Sequence, residues 1–150
     1  MLGQKHTHPF KGDSSDFPDP RNVAKTAPCC CIWNYDRASE KGSHWVAAVV
    51  THQNVTYFDS YGLAPDSADL LVKHRTYFRA WLGSVCKLLG LPSYSWNKAD
   101  LQELTAQTCG HWSLYLCKQG PREGWIKFGP DRDKNDHRIR ELVVLEDQVL

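Results

Sequence analysis

The sequence has no long apolar run. Its most apolar stretch, Trp45 to Val50, suits a strand and is far short of the ~20 residues that span a bilayer. It has no excess of one charge: 18 Lys and Arg stand against 17 Asp and Glu, for a net +1. Composition therefore makes no electrostatic case for nucleic acid or for a membrane surface. Met1 to Phe10 lacks the apolar core of a signal peptide, which predicts a chain that is not secreted. In that setting the six cysteines are expected to be thiols and not a disulfide scaffold. No CxxC pair and no Cys/His knuckle accompanies His6 and His8, so no metal is expected. Asn54-Val55-Thr56 has the form of a glycosylation site, a chance match in a chain without a secretory signal.

What the chain does have is enough length and apolar weight for one domain over residues 1–150, with 41% hydrophobic residues and six Trp among them. Residues 1–28 are polar, and Pro9, Pro18, Pro20 and Pro28 forbid a long helix, which predicts an extended N-terminal arm. Cys29 to Asn34 predicts a buried strand. Strand neighbours point to opposite faces, so Cys29, Cys30 and Cys31 cannot all meet one partner. His44–Val50 and Val55–Asp59 flank the polar turn Thr51–Asn54 and predict a hairpin. Asp66 to Leu89 predicts a helix, capped by Asp66 with Asp69 and stopped by Gly90 and Pro92. Its apolar stripe would be Leu70, Leu71, His74, Phe78, Trp81, Val85 and Leu88. Leu91–Asn97 suggests a strand and Cys109–Gln119 a short helix. A last helix would be capped by Asn135 or Asp136, with Ile139, Leu142 and Val143 inward. Helices and strands mix without regular alternation, which predicts an α+β fold.

Three reactive groups attach to these elements. His44 opens one strand of the hairpin and Asp59 closes the other, so the two are expected side by side. A carboxylate beside an imidazole fixes its tautomer and stabilises its charged form. Cys109 begins a helix, where the amide dipoles favour a thiolate. Gly110 after it would let a substrate backbone come close. Gln102 is a neutral amide able to aim an N–H at a developing oxyanion. Taken singly, each has a plainer reading. A lone His at a strand start is more often a surface or core residue, Asp59 could simply begin a turn with Ser60, Tyr61 and Gly62, and a Cys before a Gly usually means nothing.

The local wording is more specific than the single residues. Gly42-Ser43-His44-Trp45-Val46-Ala47 is followed by Tyr57-Phe58-Asp59-Ser60-Tyr61-Gly62, then Asn97-Lys98-Ala99-Asp100-Leu101-Gln102, then Thr108-Cys109-Gly110-His111-Trp112. From about Ile32 to Leu116 this resembles the adenovirus-type (adenain-like) cysteine proteases, closest to versions in small DNA viruses and Polinton/Maverick-type elements. It is more distantly similar to the Ulp/SENP proteases that process SUMO. Weaker echoes are Phe17-Pro18-Asp19-Pro20 and Asn135-Asp136. The resemblance implies a central mixed sheet with the nucleophile at a helix N-terminus. It implies His44 as general base, Asp59 as its orienting carboxylate, Cys109 as nucleophile, and Gln102 with the Cys109 N–H as the oxyanion hole. Gln107 is too close to Cys109 for the family spacing. Trp45 would pack beside the site, and Gly42 and Ser43 would form the approach for substrate.

The function so implied is a viral or mobile-element cysteine endopeptidase that cleaves virion or polyprotein precursors through a thioester at Cys109. Its partners would be viral structural precursor proteins, and its place the host nucleus and the virion. No cofactor is expected, although adenovirus enzymes are activated by a peptide and by DNA. No cysteine here matches the one that captures that peptide; Cys86 reads as a core residue. Lys118 to Arg140 holds seven Lys or Arg against four Asp or Glu, a bias typical of a solvated face. Two rivals are a modifier (SUMO- or ubiquitin-like) protease of the same fold and a non-catalytic virion protein. The full set of His44, Asp59, Gln102 and Cys109 argues against the latter.

Overall fold

A computed structural model of the chain describes residues 7–9, 18–34, 44–65, 72–98, 100–102, 107–119 and 128–147. Within them lie strands β1 (Thr7–Pro9), β2 (Cys29–Asn34), β3 (Trp45–Val50), β4 (Val55–Phe58) and β5 (Ser95–Trp96). Helices are α1 (Pro20–Thr26), α2 (Val72–Leu89), α3 (Cys109–Gln119) and α4 (Arg132–Asp147). The strands form one mixed sheet in the order β1-β2-β3-β4-β5. Its outer pairs, β1 with β2 and β4 with β5, are parallel; the inner pairs are antiparallel. This is the α+β class expected from the sequence.

Side-chain alternation builds two cores, one on each face. Cys29, Cys31 and Trp33 of β2 join Val46, Ala48 and Val50 of β3 under Phe78, Leu82 and Val85 of α2. Cys30 and Ile32 join Ala47 and Val49 under Trp112, Leu116 and Ile139 of α3 and α4. A central strand covered on both faces has no use for polar alternation, which explains the uninterrupted apolar run of β3. Trp33 anchors the first core, edge-on to Phe78 at 6.0 Å and to Trp81 at 4.9 Å.

Several expectations need correcting. The N-terminal arm is not extended throughout. Asp19 accepts from the Arg21 N–H and caps α1, and Pro20 sits at the helix start, where a missing N–H costs nothing. Of the expected 66–89 helix, Val72–Leu89 is observed; its proposed caps Asp66 and Asp69, with Leu70 and Leu71, lie outside the described residues. Leu88 is exposed, and Leu82 and Cys86 are buried in its place. At ~100° per residue, Leu88 lies about 120° around the helix from Leu82. The stop at Gly90 holds: its φ is 71°, and Leu91 and Gly90 donate to the carbonyls of Cys86 and Lys87. The expected Leu91–Asn97 strand shrinks to the two residues of β5.

The cap of α4 is Asp131, whose carboxylate accepts from the Lys134 N–H at 3.1 Å. Asn135 and Asp136 are instead buried inside the helix. Finally, Cys30 and Cys117 form a disulfide that ties β2 to α3 across 87 residues, so the expectation of six thiols fails for this pair. Alternation sends Cys30 alone of the three consecutive cysteines to the α3 face, where Cys117 waits. Cys29, Cys31 and Cys86 are buried free thiols.

Candidate active site

The hairpin brings the first two groups together. Its register pairs Ala47 with Phe58 and Val50 with Val55. Continued past Phe58, it sets His44 opposite Tyr61, so Asp59, two residues earlier, is its diagonal neighbour on the same face where the chain leaves the sheet. His44 Nε2 lies 2.9 Å from Asp59 Oδ1, and both residues are buried. With Nε2 committed to the carboxylate, Nδ1 is the nitrogen left for the sulfur side.

Asp59 is held from three directions. Its Oδ1 accepts from the Tyr61 N–H at 2.8 Å, and its carbonyl accepts from the Gly62 N–H at 2.8 Å. Asn97 clamps its backbone, accepting from the Asp59 N–H at 3.0 Å and donating to the Asp59 carbonyl at 2.6 Å. Asp59 thus does begin a turn, and the same turn aims its carboxylate at His44. Gly62 has φ 75°, which suits a glycine at that corner.

Cys109 enters from the opposite face, as the first residue of α3. Its Sγ accepts from the Trp45 N–H at 3.4 Å. It is partly exposed, whereas the other free thiols are buried. Burial pushes its pKa up, but His44, the Trp45 N–H and the Gly110 N–H more than reverse this, and the thiol ionises below its usual 9.0. His44 answers in the opposite sense. Burial alone would lower its pKa; Asp59 and Cys109 raise it from 6.5 to about 9. Sulfur and imidazole are therefore arranged to exist as thiolate and imidazolium.

Gln102 is fully buried and Gln107 is exposed. Ser60 fastens Gln102 in place. The Ser60 carbonyl accepts from the N–H groups of Leu101 and Gln102 at 2.9 and 3.2 Å, and the Ser60 hydroxyl donates to Gln102 Oε1 at 2.5 Å. The amide nitrogen donates to the Tyr61 hydroxyl at 3.3 Å. Tyr61 also stacks on the His44 ring, with centroids 4.8 Å apart and planes 20° from parallel. Burial, followed by the charges of Cys109 and Asp59, raises the Tyr61 pKa above 10.0.

Trp45 and Gly110 fit one another. A Cβ on Gly110 would come within 3.2 Å of the Trp45 indole. Glycine here lets α3 pack closely on the Trp45 ring of β3. Gly42 and Ser43 lie outside the described residues. Among the described residues, no three His, Cys, Asp or Glu side chains gather in a way that could hold a metal ion, and no helix is long and apolar enough to cross a membrane.

Sequence reading missed Ser60, Tyr61 and Asn97 as parts of this site. Two signals were available. Tyr61 falls opposite His44 when the hairpin register is continued, and Asn97 opens the segment that carries Gln102.

The mixed sheet thus carries a helix-borne cysteine beside a hairpin-borne histidine and carboxylate. No family model matches the sequence, and no curated protein does. Among solved structures, the crystal structure of the ASFV pS273R protease matches with a TM-score of 0.57 at 16% identity, over 91% of this chain and 60% of that one. The chain thus spans 60% of the length of that protease. The likeness is one of fold.

Proposed function

We propose that this protein is a cysteine endopeptidase of the adenain-like kind, acting on viral or mobile-element structural precursors. The single observation behind the reading is the chain Asp59–His44–Cys109: a buried carboxylate 2.9 Å from an imidazole that sits beside a helix-terminal sulfur. Cys109 Sγ attacks the scissile carbonyl carbon and the C–O π pair moves to oxygen. The His44 proton passes to the leaving amine nitrogen as the C–N bond breaks, leaving a thioester. Water, deprotonated by His44, then attacks the thioester, and the thiolate departs. Asp59 keeps the imidazole oriented throughout. Such a site would work where precursors assemble, in the host nucleus and the virion.

The test is incubation with the structural precursors encoded by the same genome, beside SUMO- and ubiquitin-fusion substrates, with new termini read by mass spectrometry. Cleavage of a precursor that depends on Cys109 supports the reading. Cleavage only after a modifier's C-terminus would replace it by the modifier-protease reading, and no cleavage of either would sink it.

The oxyanion that forms in the first step needs donors. Gln102 fits, because Ser60 holds its carbonyl end and so turns Nε2 to the Tyr61 side, where the Cys109 charge is felt. Gln102→Ala is expected to lower kcat by about 10²–10³, the usual loss for one such donor. Alkylation of Cys109 should stay near normal, since it builds no oxyanion. Gln107→Ala should be mild. Equal kinetic damage from both substitutions would remove Gln102 from the role.

A further inference from the structure

Helix α4 carries two consecutive polar side chains where the sequence pattern called for caps. Both Asn135 and Asp136 are 4% exposed. Each holds the residue just before a member of the site. Asp136 Oδ1 accepts from the Thr108 hydroxyl at 2.5 Å and from the Trp112 indole N–H at 3.4 Å. Thr108 precedes Cys109, and its carbonyl accepts the first hydrogen bond of α3, from the Trp112 N–H at 3.0 Å. Asn135 Nδ2 donates to the Leu101 carbonyl at 3.3 Å and to the Gly129 carbonyl at 2.8 Å. Leu101 precedes Gln102.

We propose that Asn135 and Asp136 are positioning residues: Asp136 sets where α3 presents Cys109, and Asn135 sets where the 100–102 segment presents Gln102. The proposal rests on the peptidase reading above and adds a shared brace to it. Cys109 and Gln102 come from separate segments, and a common support on α4 helps to fix the distance between them. Ser60 holds Gln102 from the hairpin side; α4 holds it from the other side and holds Cys109 as well. The exposed ion pair between Arg132 and Asp100, 3.0 Å, joins the same two segments but adds little. A buried carboxylate is costly unless its hydrogen bonds are made, so the Thr108 and Trp112 donors are also what keep Asp136 tolerable there.

The test compares Asp136→Ala with Asp136→Asn. Both remove the charge, and only asparagine keeps an acceptor oxygen, so the difference between them reads the anchor alone. Misplacement of a reacting group by about 1 Å costs about 10²-fold. Asp136→Ala should therefore lower kcat about 10²-fold with KM within about threefold, and Asp136→Asn should recover most of the loss. Asn135→Ala should lower kcat about tenfold and leave the alkylation rate of Cys109 unchanged, because it acts through Gln102. Val143→Ala, in the buried part of the same helix, serves as the control for general loosening. It should lower Tm without lowering kcat. A fall in kcat that simply tracks Tm across the variants would overturn the proposal, as would failure of Asp136→Asn to rescue. If Asp136→Ala does not fold, Thr108→Val against Thr108→Ser makes the same comparison from the donor side. If the unmodified protein cleaves no peptide, the peptidase reading falls, and the alkylation rate of Cys109 decides the positioning role. A drop of about tenfold in Asp136→Ala but not in Asp136→Asn supports it; equal rates in both overturn it.

Discussion

Cys109→Ala is expected to abolish peptide hydrolysis, with kcat down by about 10⁴–10⁶, the scale seen when a covalent nucleophile is removed. Cys109→Ser should be nearly as inactive. An environment that turns a thiol into a thiolate does not ionise a hydroxyl, and the serine oxygen would have to be deprotonated during attack by an imidazole already protonated. The fold should survive both changes, because Cys109 is only partly buried and its main contacts are the Trp45 N–H and the His44 ring. Limited alkylation followed by peptide mapping should find Cys109 labelled first. Cys29 is the instructive competitor. A hydrogen bond from the Cys31 thiol pulls its pKa down to about 7, yet it is 1% exposed, and its sulfur faces the Val23 carbonyl at 3.6 Å. A thiolate that reagent cannot reach does not react. Cys30 and Cys117 are paired with each other, and burial raises the Cys86 pKa. Labelling that began at Cys29 or Cys86, or hydrolysis that survived Cys109→Ala, would put the chemistry elsewhere.

The parts of the fold legible from sequence are those set by near neighbours in the chain. The hairpin follows from an apolar run, a polar turn and a second apolar run, and its register follows from the turn length. Cys109–Gln119 comes out residue for residue because the helix begins after a loop and ends before Gly120-Pro121. The proximity of His44 and Asp59 belongs to the same class, since the hairpin alone delivers it.

What the sequence did not disclose depends on how segments distant in the chain meet. Ser60 meets Gln102 across 42 residues, Asn97 meets Asp59 across 38, and Asp136 meets Thr108 across 28. No local pattern specifies those meetings. The Cys30–Cys117 pair needed the knowledge that α3 covers the face of β2 to which Cys30 points. Asn135 and Asp136 misled for a physical reason. They are residue types that cap helices well, but Asp131 stands four residues before Asn135 and starts the helix first. Their polar side chains, one turn in, were then free to reach inward to Thr108 and Leu101.

Asp59→Asn should damage turnover far more than it damages the fold, lowering kcat/KM by about 10²–10⁴. The amide can keep the turn, because its Oδ1 can still accept from the Tyr61 N–H, and Asn97 still clamps the backbone. It cannot balance an imidazolium. Without the carboxylate, burial dominates at His44 and its pKa falls from about 9. The partner of the thiolate then loses its charge, and the Cys109 pKa rises toward its ordinary 9.0. The pH profile reads both shifts. In the unmodified protein the active ion pair exists from the lowered pKa of Cys109 up to about 9, where His44 loses its proton. In Asp59→Asn the two limbs approach each other and the maximum shrinks. The same shift has a counterpart in stability. A histidine whose folded pKa exceeds its unfolded value stabilises the fold fully below about 6.5, and the stabilisation fades as pH rises through about 9. Asp59→Asn should remove that contribution, so its Tm deficit should be largest at acid to neutral pH and shrink toward about pH 9. A profile with unchanged limbs and near-normal kcat/KM would mean that Asp59 only shapes the turn and that His44 is charged by some other group.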